Sequence, residues 1–179
     1  MFDWLRAPGS AKRTAQQLYG SSVAQARWPL LYETYRVADT LAGRFEMLVL
    51  HVFLLLDRLK QEGEAGRKIG QALMEALFTA MDDDLREMGV GDLTVPKKMH
   101  QAASAFFGRA KAYEDALAND AAGVLEAALL RNVPASAGMD LDGAGLASYM
   151  RGMAGRLAAV PSAQLLAADF RFPDMDHGR

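Results

Sequence analysis

Three acidic residues near the middle of the chain have a spacing that could hold a metal ion. Asp83, Asp84 and Glu87 loosely match the DDxxD pattern with which isoprenoid synthases bind magnesium and a diphosphate. Carboxylate oxygens are hard ligands of the kind magnesium prefers. Such enzymes need a second acidic motif on a facing helix, and the sequence shows none. An isoprenoid- or quinone-handling helical enzyme or carrier is therefore the alternative interpretation.

Other catalytic patterns are missing. The chain contains no cysteine, which excludes disulfides, thiolate metal sites and cysteine nucleophiles. The Gly-x-Gly at 89–91 follows a predicted helix and lacks the lysine of a phosphate-binding loop. Neither Ser-x-x-Lys nor Gly-x-Ser-x-Gly occurs. We therefore expect no catalytic residues, no metal, no cofactor and no enzymatic activity.

One predicted helix carries a thin polar seam. Arg44, His51 and Arg58 recur every seven residues and fall within about forty degrees on a helical wheel. All other residues from 47 to 56 are apolar, so neighbours should enclose this helix. No carboxylate lies three or four positions from His51. We expect a neutral core imidazole that is hydrogen-bonded to a neighbour.

The next predicted helix ends in carboxylates that continue its apolar stripe. Burying Asp84 and Glu87 unpaired would be very costly. Either the helix end leaves the core, or the carboxylates contact cations. We favour the second interpretation, a polar junction that fixes the turn at 89–98 and contributes to partner binding. Its members are Arg44, Glu46, Asp84, Glu87, Lys97 and Lys98.

Aromatic residues suggest a second binding feature. Apolar residues, including Phe106, Phe107 and Tyr113, follow helical spacing after residue 94. Together with residues before the central helix, they predict a groove for an apolar partner helix. We expect this groove to contain Tyr32, Tyr35, Phe106 and Tyr113. The alternative is that most of these rings lie in the core, with some tyrosine hydroxyls at the surface.

Helical periodicity dominates the whole sequence, and no alternating β pattern appears. With 179 residues and 51% hydrophobic content, the chain predicts an all-α single-domain multi-helix bundle with a long, largely buried central helix. We divide it into an N-terminal arm (1–17) and a helical domain (18–179). Within that domain we distinguish a core at 18–118, C-terminal helices at 119–170 and a frayed tail at 171–179.

Capping residues predict where the main helices begin and end. Thr40 is placed to cap a long helix that ends near residue 61. Gly89 suits a left-handed C-terminal cap for the next helix. Thr94 is placed to cap the helix after that, with Pro96 in its first turn.

Charge and hydropathy limit the localisation and the partners. A net charge of −2 argues against specific nucleic-acid binding. The longest apolar run, residues 47–56, is shorter than the ~20 residues that a spanning helix needs. No basic start followed by an apolar run marks a secretory signal. We expect a soluble or peripheral protein.

Residues 18 to about 118 resemble the ubiquinol–cytochrome c chaperone family. The resemblance is carried by LYGSSVAQAR at 18–27, DTLAGRFEMLVLHVFLLLDRL at 39–59, MDDDLREMGVGDLTVPKKM at 81–99 and AFFGRAKAY at 105–113. The ordered run of four blocks is more specific than any one of them alone.

This resemblance implies a non-catalytic assembly chaperone for ubiquinol–cytochrome c reductase. In that family the client is newly made cytochrome b, and mitochondrial members act with a second small assembly protein. The chain looks like the short bacterial form, which implies a cytoplasmic protein and leaves open peripheral contact with the inner membrane. Contact with a second assembly factor or with the ribosome therefore stays open. A generic helical protein-interaction module for another partner is the remaining alternative.

Overall fold

The structure is a computed structural model that describes residues 8–119, 121–167 and 169–172. Within these residues the chain forms eight α-helices. They are α1 (Pro8–Ala26), α2 (Pro29–Glu33), α3 (Leu41–Leu59), α4 (Gly63–Glu87), α5 (Val95–Leu117), α6 (Val124–Asn132), α7 (Gly143–Ala158) and α8 (Ser162–Ala167). Within these ranges the β pairing is limited to one isolated bridge between Val37 and Ala135. The predicted all-α, single-domain fold is confirmed.

Helix α3 is the centre of the bundle. It packs against α1, α4, α5 and α7, and Leu50, Val52 and Leu55 have no exposed surface. A helix that is apolar on nearly every face is stable only when neighbours cover all of those faces. The predicted long, largely buried central helix is therefore confirmed.

Local chemistry fixes the start of α3. The Thr40 hydroxyl accepts a hydrogen bond from the Gly43 N–H at 3.2 Å, so the predicted N-cap is confirmed. Gly43 also allows a close backbone approach. A Cβ at this position would lie 1.9 Å from the carbonyl oxygen of Ala38. The chain segment before α3 therefore packs directly on its first turn.

A tight turn returns the chain from α3 into α4. Residues Lys60–Glu62 form a 3-10 turn, and Gly63 follows with φ of 58°. Within the first turn of α4, a Cβ at Gly66 would lie 2.1 Å from the carbonyl oxygen of Leu59. The absence of a side chain at Gly66 therefore lets α4 pack closely against the end of α3.

Arg58 joins the end of α3 to the end of α7. Its Nε and Nη2 donate to the carbonyl oxygens of Leu157 and Val160, each at 3.1 Å, and its Nη1 pairs with Glu62. Carbonyls at a helix C-terminus lack partners within the helix, and a cation stabilises them. Arg58, the last member of the predicted polar seam, therefore stabilises the contact between the ends of α3 and α7.

The distal half of α4 and the start of α5 extend away from the core. Leu77 is the last buried residue of α4, and between it and Phe106 only Val95 is buried. Gly89 has φ of 78°, as predicted for the residue that ends this helix. Thr94 is different. It has helical dihedral angles and makes no side-chain cap, so the prediction of a Thr94 N-cap is wrong.

Helix α1 crosses the predicted boundary between the arm and the domain at residue 17. Thr14 and Ala15, which the sequence placed in the arm, are buried. Helix α1 packs closely on both α3 and α4. At the other end, Phe170 and Phe172 are buried, and residues 173–179 of the predicted tail lie outside the described residues.

Candidate functional site

A long groove follows the outer face of α4; α5 and the end of α3 also line its larger part, and α4 alone lines the rest. It consists of two adjoining depressions, of about 750 and about 660 Å³, that share Gln71 and Met74. Lining residues of α4 extend from Gly63 to Asp82. At about 1.5 Å per residue the groove is therefore roughly 28 Å long. We call it the α4–α5 groove.

Three phenylalanine rings form the apolar centre of the α4–α5 groove. Phe78 of α4 lies 5.9 Å from Phe106 and 6.5 Å from Phe107, measured between ring centroids. The two adjacent rings of α5 lie 5.7 Å apart. Phe106 is buried, whereas Phe107 is 53% exposed. An exposed ring supported by two others offers a rigid apolar contact for a partner.

Ion pairs border the larger depression. They are Lys60–Glu114 at 2.7 Å, Arg67–Glu64 and Lys111–Asp115. All of these side chains are substantially exposed, so each pair contributes little to stability. Their main effect is that positive and negative charge balance at this end of the groove.

Carboxylates alone supply the charge that lines the smaller depression. Glu75 and Asp82 belong to its wall, together with the apolar Met74 and Phe78. Asp82 accepts from Arg86 at 2.7 Å, and Arg86 also pairs with Asp92. The two ends of the α4–α5 groove therefore differ in charge.

A buried ion pair ties α5 to α3 beneath the surface. Arg109 Nη2 lies 2.6 Å from Glu46 Oε1, and the two side chains are 19% and 7% exposed. Three further atoms, Glu46 Oε2, Arg109 Nε and the Tyr113 hydroxyl, have no hydrogen-bond partner among the described protein atoms. Burial raises the pKa of Glu46, and the charge of Arg109 opposes this effect. Burial, and then the charge of Glu46, raise the pKa of Tyr113.

A second buried polar network joins α1, α3 and α7. His51 Nδ1 lies 2.6 Å from the carbonyl oxygen of Met47, which can only accept, so Nδ1 carries the proton. Nε2 then accepts from the Tyr149 hydroxyl at 2.6 Å. Gln25 donates to that hydroxyl oxygen at 3.0 Å. The predicted neutral, hydrogen-bonded core histidine is confirmed, and burial lowers the pKa of His51 to about 4.

Two further properties bear on the function. Asp83, Asp84 and Glu87 are exposed, and no three His, Asp or Glu side chains among residues 8–119, 121–167 and 169–172 are grouped so that they could hold a metal ion. None of the helices in the same ranges combines the length and the apolar character that crossing a bilayer requires.

Comparison with known proteins then identifies the family. A family model described as "Ubiquinol-cytochrome C chaperone" matches residues 33–172. The chain belongs to this family. A solved structure supports the assignment: the crystal structure of the Cbp3 homolog from Brucella abortus is 34% identical, with a TM-score of 0.81 over 93% of this chain and 92% of that one. The resemblance found in the sequence is confirmed.

Curated relatives of this chaperone family are longer. Ubiquinol-cytochrome-c reductase complex assembly factor 1 from Xenopus laevis is 27% identical over 68% of this chain and 60% of its own length. The protein of the same name from Homo sapiens is 28% identical over 67% of this chain and 40% of its own length. The chain thus spans about half the length of the curated relatives that it matches.

The expectation that four aromatic side chains line one groove is wrong. Tyr113 is fully buried and packs on Phe53, with ring centroids 5.8 Å apart. Tyr35 lies 5.8 Å from Tyr149 on the α7 side of the bundle, and the Tyr32 hydroxyl donates to the Ala26 carbonyl. Of the four, Phe106 alone lines the α4–α5 groove. Phe106 and Tyr113 are core residues, and Tyr32 and Tyr35 are half-buried against the core, which was the alternative interpretation.

The predicted polar junction is also not assembled. Arg44 pairs with Asp39 at 2.6 Å rather than with an acid of α4. Glu46, the buried member, pairs with Arg109 of α5. The other four members are exposed and form no ion pair with one another in the described structure; they are Asp84, Glu87, Lys97 and Lys98. The physical reason is that the end of α4 leaves the core, so water solvates its carboxylates. A role of these residues in partner binding stays a prediction.

Two residues that matter in the structure were not selected from the sequence. Arg109 lies on an amphipathic helix, where a cation ordinarily faces water, and only the fold brings it to Glu46, 63 positions earlier. Phe107 belongs with Phe106 to the apolar series of its helix, but it is not among the four rings expected in the groove. Adjacent residues on a helix point about 100° apart, and this signal in the sequence could have predicted that one of them faces outward.

Proposed function

We propose that this chain is a non-catalytic assembly chaperone for ubiquinol–cytochrome c reductase. In this proposal it holds newly made cytochrome b through an apolar segment seated in the α4–α5 groove. The family assignment supports the chaperone role, and the relatives named above are assembly factors of that complex. The choice of cytochrome b follows the family resemblance described for the sequence.

One observation carries the choice of site. Phe107 is 53% exposed in a long groove whose other wall includes Met74 and Phe78. Exposure of an apolar surface of this kind to water is unfavourable, and its burial by a partner lowers the free energy. The unfinished membrane protein that an assembly chaperone holds has the complementary surface, a helix with apolar side chains.

The place of action follows from the client. Because cytochrome b is assembled into a respiratory membrane complex, we propose that the chaperone acts beside the inner membrane, as a peripheral protein on its cytoplasmic side. Contact with a ribosome or with a second assembly factor is compatible with this position. The exposed end of the α4–α5 hairpin, which includes Met88 and Leu93, is a surface where such contacts can form.

Deleting the gene and restoring it in altered forms tests the function. We expect the deletion strain to lack assembled ubiquinol–cytochrome c reductase and to retain its respiratory oxidases. Cytochrome b spectra and reductase activity in membranes measure the loss. Wild-type protein should restore both readouts. The Phe107→Asp variant should not, because a charge buried against the client costs about 2 kcal/mol, or roughly thirtyfold in affinity.

The matched control is Met139→Asp, which changes another exposed apolar residue, 58% accessible, that does not line the groove. It should restore the reductase fully. Immunoblots must show equal amounts of both variants, so that a folding defect is not read as lost binding. Normal reductase in the deletion strain would contradict the proposed function. Full rescue by Phe107→Asp would contradict the groove as the client site.

A further inference from the structure

We propose that the α4–α5 groove binds an apolar helix together with an adjoining lysine- or arginine-bearing flank, oriented so that the flank lies at the Glu75 and Asp82 end. This inference rests on the proposed function and deepens it. It states which kind of client segment is held and in which direction.

The length of the groove selects the apolar part of the occupant. Its lining on α4 extends over roughly 28 Å at about 1.5 Å per residue. The hydrocarbon core of a bilayer is about 30 Å thick, and a helix of ~20 residues spans it. A groove of this length covers one side of an entire membrane-spanning helix, with Phe107 beside Phe78.

The charge of the groove selects the flank. Glu75 and Asp82 line the smaller depression, and no lysine or arginine lines it. Residues 75–92 contain six carboxylates and one basic residue, Arg86. Arg86 pairs with Asp82 and Asp92, and the other four carboxylates form no ion pair within the described structure, whereas at the opposite end acids and bases are paired with each other. A positively charged segment is therefore favoured at one end only.

Membrane proteins supply that combination. Loops on the cytoplasmic side carry an excess of Lys and Arg close to the ends of their spanning helices. A spanning helix with such a loop has an apolar stretch and a basic end, which match the two parts of the groove. The same acidic end disfavours a membrane surface as the occupant, because the lipids of that leaflet are themselves anionic.

Binding of synthetic helices to the full chain tests the inference. The first probe is a fluorescein-labelled Leu/Ala peptide of about 18 residues, close to a bilayer span, that carries three lysines at one end. The second probe carries three glutamates instead. By fluorescence anisotropy at low salt, the lysine peptide should bind more tightly than the glutamate peptide, and added salt should reduce this difference.

Variants locate the effect. Glu75→Gln with Asp82→Asn should weaken binding of the lysine peptide about fivefold, since each exposed charge pair contributes less than about 1 kcal/mol. The same double substitution should not weaken binding of the glutamate peptide. Glu33→Gln with Asp140→Asn removes two exposed carboxylates outside the groove and should change neither affinity. Phe107→Asp should weaken binding of both peptides, because it disrupts the apolar ring cluster of the α4–α5 groove.

Crosslinks define the direction of the bound helix. A photoreactive residue in place of Thr79, in the acidic half of the groove, should attach to the lysine end of the peptide. One in place of Lys111, in the other half, should attach to the apolar span. Equal affinities for the two peptides, or crosslinks in the reverse order, would overturn the inference. Failure of both peptides to bind would overturn it too. The gene deletion tests the proposed function independently of these binding measurements.

Discussion

Replacing Arg109 by alanine is expected to lower the free energy of unfolding at pH 7 by roughly 3–5 kcal/mol, the cost of leaving a buried partner charge unpaired. Glu46 is 7% exposed, and one of its oxygens already lacks a partner among the described atoms. The Arg109 guanidinium lies 2.6 Å from the Glu46 carboxylate. Without it, no positive charge would offset the desolvation that already raises the pKa of Glu46. The packing of α5 on α3 therefore depends on this pair.

The expected pH dependence distinguishes this mechanism from lost packing. A carboxyl whose pKa is higher in the folded state than in the unfolded state binds protons on folding, so its contribution to stability improves as the pH falls. Removing Arg109 should raise the pKa of Glu46 further. The cost of Arg109→Ala, measured by urea unfolding, should therefore be smaller at pH 5 than at pH 7.

Two variants complete this test. Adding Glu46→Gln to Arg109→Ala should recover part of the lost stability, because a neutral amide is cheaper to bury than a carboxylate. Arg44→Ala, which removes the cation of the exposed Asp39 pair, should leave the midpoint of unfolding almost unchanged. An Arg109→Ala cost that is equally large at both pH values and unaffected by Glu46→Gln would show that the buried charge is not the cause.

Acid should also destabilise the protein through His51. Burial lowers the pKa of this imidazole from 6.5 to about 4. Between these two values the unfolded chain binds the proton and the folded chain does not, so stability falls as the pH drops through this window. A shift of this size corresponds to roughly 3 kcal/mol, at about 1.4 kcal/mol per pH unit.

The difference between the wild-type protein and His51→Gln isolates this effect. At pH 7 the variant should be less stable, since it disturbs the hydrogen bonds to Met47 and Tyr149. As the pH falls from 7 to 4, that difference should shrink by up to roughly 3 kcal/mol, because the variant has no imidazole to protonate. The opposite contribution of Glu46 is present in both proteins and cancels.

Denaturant unfolding at intervals of half a pH unit measures the two curves. The exposed His100 provides the matched control: His100→Gln should follow the pH dependence of the wild type. A constant difference between wild type and His51→Gln from pH 7 to 4 would mean that His51 is not held neutral in the core. The proposed tautomer and the link from α1 through Tyr149 would then be incorrect.

Local signals in the sequence predicted the features that depend on short stretches of chain. The Thr40 cap, the left-handed Gly89 and the burial of the central helix each follow from residues within one or two turns. The neutral state of His51 could be predicted because every neighbour on its helix is apolar. Its partner Tyr149, 98 positions away, could not.

The candidate site was less predictable because it depends on how the helices pack. The stripe of Met74, Phe78 and Met81 has the same pattern whether or not another helix covers it. Here α5 covers it only partly, and the distal part of α4 extends beyond the core. The carboxylates of Asp84 and Glu87 therefore face water, whereas Glu46 required a partner that only the tertiary structure reveals.

Crosslinking in living cells tests the central claim most directly. A photoreactive amino acid would replace Phe107 in the groove or, as the control, Met139 outside it, and captured proteins would be identified by mass spectrometry while cytochrome b is being made. We expect position 107 to capture an apolar segment of cytochrome b that position 139 does not capture. Absence of cytochrome b from position 107, or the same set of proteins at both positions, would contradict the α4–α5 groove as the client site.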